Sequence, residues 1–262
     1  TGLPTSTDFE FYVQADCGGG DESVWFGPVA ASTPQIPVSS FPWDEDFETG
    51  ATEWTLLNGS QTNQWSVGSA VNNGGANALY VSNDGGSSNA YSNTSSSVVF
   101  AYRDISMPAT YAQAELTFDW LCDGESLFTP WDFLNVFAVP VSTILTSGTE
   151  LIPSGTAPTG TIDISGVLGE ELTFQNQTFQ IPVAYAGETI RLVFQWVNDG
   201  SGGQNPPAVV DNVNISVFSC LAPSGLVASN ITTSEATLSW DDNTSGAPSF
   251  EVEYGPSGFV PG

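Results

Sequence analysis

The chain has 262 residues, 40% of them apolar, and a net charge of −27 that sets 29 Asp and Glu against Arg103 and Arg191, with no Lys and no His. The apolar content is enough for one large core or two ordinary ones and separates the chain from disordered sequences. So acidic a chain is repelled by phosphate backbones and anionic headgroups, which excludes nucleic acid and the membrane surface as partners and leaves divalent cations.

Charged residues make up only 12% of the chain, so most polar surface is Ser, Thr, Asn, Gln and Gly. That composition predicts a secreted protein, living where salt or calcium screens its carboxylates. There is no signal peptide and no apolar run of about 18 residues, as expected of a piece of an exported protein. The lack of His and Lys removes His-based Ser or Cys nucleophiles and Lys Schiff bases. Nothing singles out a glycosidase pair among the carboxylates, so the chain is not expected to be an enzyme. Three cysteines, Cys17, Cys122 and Cys220, form no CxxC pair, which argues against zinc.

In chain order, "DFEFYV" alternates Phe9, Phe11 and Val13 with polar residues, the pattern of a strand with one apolar face. The Pro- and Ser-rich "ASTPQIPVSSFP" follows as a linker. In "WDEDFETG", Asp44, Glu45, Asp46 and Glu48 crowd together, and strand alternation predicts Asp46 and Glu48 on one side with Phe47 toward the core. Short strands then read as "WTLL", "WSV", "ALYVS", "SSVVFAYRDI", "AELTFDWL", "DFLNVFAV", "LTFQNQTFQIPV", "ETIRLVFQWV" and "AVVDNVNISVF". Phe118, Trp120, Phe194 and Trp196 are core candidates. No segment reads as a helix, and this many strands predict an all-β, two-sheet sandwich of the jelly-roll kind.

The loops carry the chemistry. Asp84 in "SNDGGSSN" and Asp199 in "NDGSGG" are turn residues or oxygen ligands. Asp119, Asp123, Glu125 and Asp132 flank "CDGESLFTPWDF", where Asp132 is a candidate for a second metal site or part of a solvated loop. Phe128 and Trp131 in that loop are the candidate platforms for a sugar ring, against the alternative of ordinary packing. In jelly rolls the first and last strands lie side by side, which would bring Asp211 near Glu48. Asp46, Glu48 and Asp211 are therefore expected either to hold a structural calcium ion or to form a solvated acidic edge.

Residues 41–218 resemble the bacterial choice-of-anchor J and cleaved-adhesin domains, which are MAM-like in shape. The resemblance rests on "DEDFETG", "QTNQWSVG", "ALYVSNDGG", "YRDI", "LTFDWLCDGE", "WDFLNVFAVP" and "RLVFQWVNDGSGGQNPPAVVDNVNIS" in that order. It implies a jelly roll with calcium and large surface proteins of the Bacteroidetes type. Residues 219–262, with "SGLVASNI", "SEATLSW" and "FEVEYG", resemble the opening strands of a fibronectin type III domain, and residues 1–33 resemble its closing strands, with Phe9 where that family has its corner tyrosine. Residues 34–40 link the first piece to the jelly roll. Two arrangements fit: one period of a tandem array, cut inside a fibronectin module, or two halves closing on each other. In the array, the resemblance implies a disulfide between a residue of the Cys17 type and one of the Cys220 type, neither paired within this stretch.

These readings lead to an expectation of a non-catalytic structural or adhesive repeat of an extracellular or bacterial cell-surface protein. Its partners would be neighbouring repeats, identical subunits of a filament, or glycans. The alternative is an accessory carbohydrate-binding module of a secreted hydrolase.

Overall fold

The computed structural model describes residues 2–3, 8–51, 53–125, 131–244 and 249–260. The chain opens with β1 (Asp8–Val13) and β2 (Phe26–Ser32). Short strands β3 (Trp43–Glu45), β4 (Thr55–Leu57), β5 (Gln64–Gly68) and β6 (Ala78–Ser82) follow. Longer strands come next: β7 (Ser97–Ser106), β8 (Gln113–Cys122), β9 (Phe133–Pro140), β10 (Ile162–Leu168), β11 (Glu171–Gln180), β12 (Thr189–Asn198) and β13 (Val209–Phe218). The last pair is β14 (Ser224–Ser229) and β15 (Thr237–Asp241). No α-helix occurs among the described residues.

Two antiparallel sheets face each other. One is ordered β10-β9-β12-β7-β4, the other β11-β8-β13-β6-β5, with β3 also on β13. Strand alternation sends Ile190, Leu192, Phe194 and Trp196 of β12 between the sheets, where they meet Phe118 and Trp120 of β8; all six are buried. Phe118 and Phe194 pack edge to face at 5.3 Å between centroids. Burying each such side chain contributes about 1.5–3 kcal/mol. The opposite face of β12 is also covered: Val193 joins Phe100, Phe137 and Leu151, and the Leu151 amide donates to the buried Gln195 Oε1 at 2.8 Å. That second cover explains why Val193, Gln195 and Val197 on the outward face of β12 are buried as well.

The stretch expected as a linker, 34–40, is held along the sandwich. Gln35 and Val38 are buried. Val38 bridges Ile105 in parallel, and Gln35 Nε2 donates to the Tyr102 carbonyl at 3.0 Å. Arg103 donates to the Ile36 carbonyl at 2.9 Å and pairs with Glu53 at 2.6 Å. Arg191 grips Asp104 through two nitrogens, at 2.7 and 3.1 Å. Both cationic side chains of the sequence are thus engaged on β7 and its neighbours. The pairs β1–β2 and β14–β15 are separate two-stranded sheets.

Candidate metal centre

Two groups of carboxylates emerge from the fold. The first lies at a seam in β13. Val209 and Val210 pair with β6, while Val213, Asn214 and Ile215 pair with β3, so two strands share one edge of β13 and leave Asp211 between them. A register shift between Asp211 and Asn214, with Asn212 at φ 50°, bulges the strand there. β3 ends at Glu45, and Phe47, fully buried, takes a left-handed φ of 58°. The expected extended alternation over Asp46–Glu48 is therefore replaced by a turn.

At the seam Glu48 Oε1 accepts the Ala76 and Asn77 amides, both at 2.8 Å. Asp211 Oδ2 accepts the Asn73 amide at 2.7 Å, and Oδ1 accepts its neighbour Asn212 at 2.8 Å. Asp119, paired across the sheet with Asp211, accepts from Asn73, Asn212 and Asn176 side chains at 2.9, 2.8 and 2.6 Å. Burial raises the Asp211 pKa, with Asp119 and Glu48 adding repulsion against the donated amides. Amide dipoles, not cations, hold these three anions. Asp46 stays outside this net: it is exposed, and its Oδ1 accepts the Glu48 amide at 3.1 Å. The inward acid is Glu45, which accepts from the Phe47 amide and Trp54 Nε1 and is raised chiefly by burial.

The second group joins the β8–β9 and β12–β13 loops at one end of the sandwich. Gly124 and Gln204 exchange backbone bonds at 3.1 and 2.7 Å, tying the loop after β8 to the one after β12, and the Glu125 amide donates to the Asp132 carbonyl at 3.0 Å. Carboxylate oxygens of Glu125, Asp132 and Asp199 lie within 4.8 Å of one another. Asp132 is fully buried; its Oδ2 accepts the Tyr91 hydroxyl at 2.5 Å and its Oδ1 the Asp199 amide at 3.0 Å. Glu125 Oε2 is buried and meets no donor among the described residues. Burial first, then mutual repulsion, raises the pKa of Glu125. For Asp132, burial raises it against the Tyr91 bond. Burial and the same bond hold the Tyr91 phenol well above its ordinary value. Gly203, at φ 71°, passes so close to Tyr91 Oη and Asp132 Oδ2 that a Cβ would collide with both.

Hard carboxylate oxygens converging without cationic neighbours suit calcium, which takes six to eight oxygens and accepts carboxylate and backbone carbonyl donors together. The donor set contains no nitrogen or sulfur ligand, and Asp132 is too deeply buried to face a substrate cleft.

The other expected residues fall as follows. Asp84 closes its own turn, accepting from the Ser82 hydroxyl and the Ser87 and Ser88 amides at 2.7, 2.9 and 3.0 Å. These bonds depress its pKa to about 2. It belongs to neither carboxylate group. Trp131 is 50% exposed beside Asp132; Phe128 lies outside the described residues. Cys17 and Cys220 are exposed free thiols, and Cys122 is buried, its pKa raised chiefly by that burial. Tyr91, Asn73 and Asn212 were not anticipated, because only tertiary pairing aims them at the carboxylates. Asp199 and Glu125 were visible as loop acids, but not as partners of Asp132.

No family model matches the sequence, and no curated protein does. Similar solved structures include a CBM22 xylan-binding domain from Paenibacillus barcinonensis, 10% identical, with 71% of this chain and 99% of that one covered at a TM-score of 0.41. Another is a cleaved adhesin domain of Lys-gingipain from Porphyromonas gingivalis, 16% identical, covering 68% and 98% at a TM-score of 0.38. No helix of the described residues is long and apolar enough to cross a membrane.

Proposed function

We propose that the chain is a non-catalytic structural and adhesive module of a larger extracellular surface protein, in which calcium at Glu125, Asp132 and Asp199 pins two loops at one end of the sandwich. Neighbouring modules of the same kind are its partners. The observation that carries the calcium reading is the convergence of those carboxylates, one of them fully buried, in a chain whose two arginines are engaged elsewhere. Calcium binding to the folded form alone stabilises it by RT ln(1 + [Ca]/Kd), about 2.7 kcal/mol at a hundredfold excess over Kd.

The test is thermal unfolding in EDTA, in millimolar calcium, and in sodium chloride at matched ionic strength. Calcium should raise the Tm saturably, and Glu125→Gln with Asp199→Asn should remove the increment. A sodium shift equal to the calcium shift reduces the group to ordinary screening. Loss of the increment in Glu48→Ala and Asp211→Ala, but not in the loop variants, would move the ion to the seam.

A second reading, sugar binding, is favoured by Trp131, which is half exposed and adjoins Asp132 in sequence, a flat ring of the kind that stacks on a pyranose face. Glycan-array binding abolished by Trp131→Ala, with the Tm unchanged, would support it.

A further inference from the structure

The sequence contains two Asn-Gly pairs, Asn58-Gly59 and Asn73-Gly74. In such a pair the glycine nitrogen can reach the asparagine side-chain carbonyl carbon, because no Cβ crowds the approach. The fold treats the two pairs differently. Asn58 is held at both ends of its carboxamide: Nδ2 donates to the Trp65 carbonyl at 3.0 Å, and Oδ1 accepts the Trp65 amide at 2.8 Å. A Cβ on Gly59 would collide with Ser147, so that turn is packed. Asn73 and Gly74 are both exposed, in the stretch between β5 and β6. A Cβ on Gly74 would meet nothing within 4 Å, and the Gly74 amide finds no acceptor among the described residues. There the Asn73 carboxamide is tied at one end only, where Nδ2 donates to Asp119 Oδ2 at 2.9 Å.

We propose that Asn73-Gly74 is a self-modification site, at which the chain loses ammonia and the seam gains a fourth carboxylate. The Gly74 nitrogen attacks Asn73 Cγ, the new C–N bond closes a succinimide ring, and the Cγ–Nδ2 bond breaks. The Gly74 amide proton passes to water, and water returns one to the departing nitrogen, which leaves as ammonia. A second water then opens the ring at either carbonyl. Opening at Cγ gives aspartate; opening at the main-chain carbonyl gives isoaspartate, in which the chain runs on through Cγ. Nothing is oxidised or reduced, and water is the only co-reactant.

The position gives the change its consequence. Asn73 makes three bonds at the seam: its amide donates to Asp211 Oδ2 at 2.7 Å, Nδ2 to Asp119, and its carbonyl accepts the Asn212 side chain at 2.8 Å. Aspartate at 73 replaces the donor facing Asp119 by an anion, so two carboxylates meet where a hydrogen bond was. Isoaspartate goes further, lengthening the main chain by one atom and turning the carbonyl that accepts from Asn212 into a carboxylate. Neither arginine is free to offset the charge, since Arg103 pairs with Glu53 and Arg191 with Asp104. The bond to Asp119 also slows the reaction by holding the carboxamide in place, so a variant that loosens the seam should speed it.

The test is incubation of the full chain at mildly alkaline pH and physiological temperature, folded and in concentrated urea, followed by acid digestion with pepsin and mass spectrometry of the peptides holding Asn58 and Asn73. In urea both asparagines should convert at similar rates. In the folded chain Asn73 should convert several-fold faster than Asn58, with isoaspartate among the products and one ammonia released per conversion. Asp119→Ala should speed the loss of Asn73, and Gly74→Ala should suppress it. The Asn73→Asp chain should melt several degrees below wild type, with Asn73→Ser, which loses the donor without adding charge, in between. Asn58 keeping pace with Asn73 in the folded chain, or Asn73 lasting as long as Asn58, overturns the site whatever the variants do. An Asn73→Asp chain that melts as wild type does overturns the effect on the seam. The reaction needs no metal, so its outcome is separate from the calcium melting experiment that judges the module reading.

Discussion

The seam and the loop group both gather three carboxylates, and hydrogen-bond donors satisfy the first more fully than the second. At the seam, backbone amides of the loop before β6 and side-chain amides of Asn73, Asn176 and Asn212 aim at Glu48, Asp119 and Asp211. In the loop group, Asp132 has two donors and Asp199 accepts from the Ser201 amide and hydroxyl, while Glu125 Oε2 is buried with no donor among the described residues. The difference teaches how to read acidic clusters. Where amides satisfy the oxygens, the anions are part of the architecture; where donors are fewer, the proposed calcium would supply the missing partner.

The largest expected contrast follows from removing seam carboxylates. Asp119→Ala or Asp211→Ala leaves buried amide donors without an acceptor, at a cost of about 1–3 kcal/mol each, and lowers the Tm by several degrees. The loss should be the same in EDTA and in calcium. Asp119→Asn, which keeps one acceptor oxygen, should fall between. A calcium-dependent loss, measured in paired melting curves, would break the comparison by making the seam a metal site too.

Charge removal in the loop group should act with the opposite sign. Without calcium, Glu125→Gln or Asp199→Asn relieves repulsion among carboxylates and should raise the Tm in EDTA while shrinking the calcium increment. The expected rise is smaller than the seam loss, because Asp199 is exposed and water screens it. A fall in EDTA would mean that the partners of these carboxylates, Ser201 at Asp199 among them, outweigh the mutual repulsion without a metal.

How much of this was legible in the sequence depends on the range of the signal. Phe118, Trp120, Phe194 and Trp196 announce the core because strand alternation is local and the sandwich obeys it. The pairing of first and last strands also follows, since β3 lies on β13. What misled was "DEDFETG", where alternation was carried three residues past the end of β3: the left-handed Phe47 turns the chain, Glu45 lies inward and Asp46 stays in solvent. Tyr91 and Asn73 act across sequence gaps of 41 and 138 residues, and no local pattern encodes such a meeting. The buried Gln35 shows the same limit, because a Pro- and Ser-rich stretch reads as a linker until β7 supplies partners for its amide.

The smallest effect sharpens the comparison at its simplest member, Asp84, a lone carboxylate satisfied by its own turn. Its folded pKa of about 2 lies below the unfolded value near 4 for Asp. The folded state therefore binds the proton less well, so the stabilising contribution is fully present above about pH 4 and is lost as pH falls through about 2. Because the group is exposed, the global Tm should barely respond to Asp84→Ala, and the signal is local. In a carboxyl NMR titration Asp84 should titrate well below the other exposed carboxylates. The Ser87 and Ser88 amides should lose their protection in the same pH range, and in Asp84→Ala they should be unprotected throughout. An ordinary titration near pH 4 would show that the turn does not hold its carboxylate in solution, and would remove the simplest case of an anion satisfied by amides and hydroxyls alone.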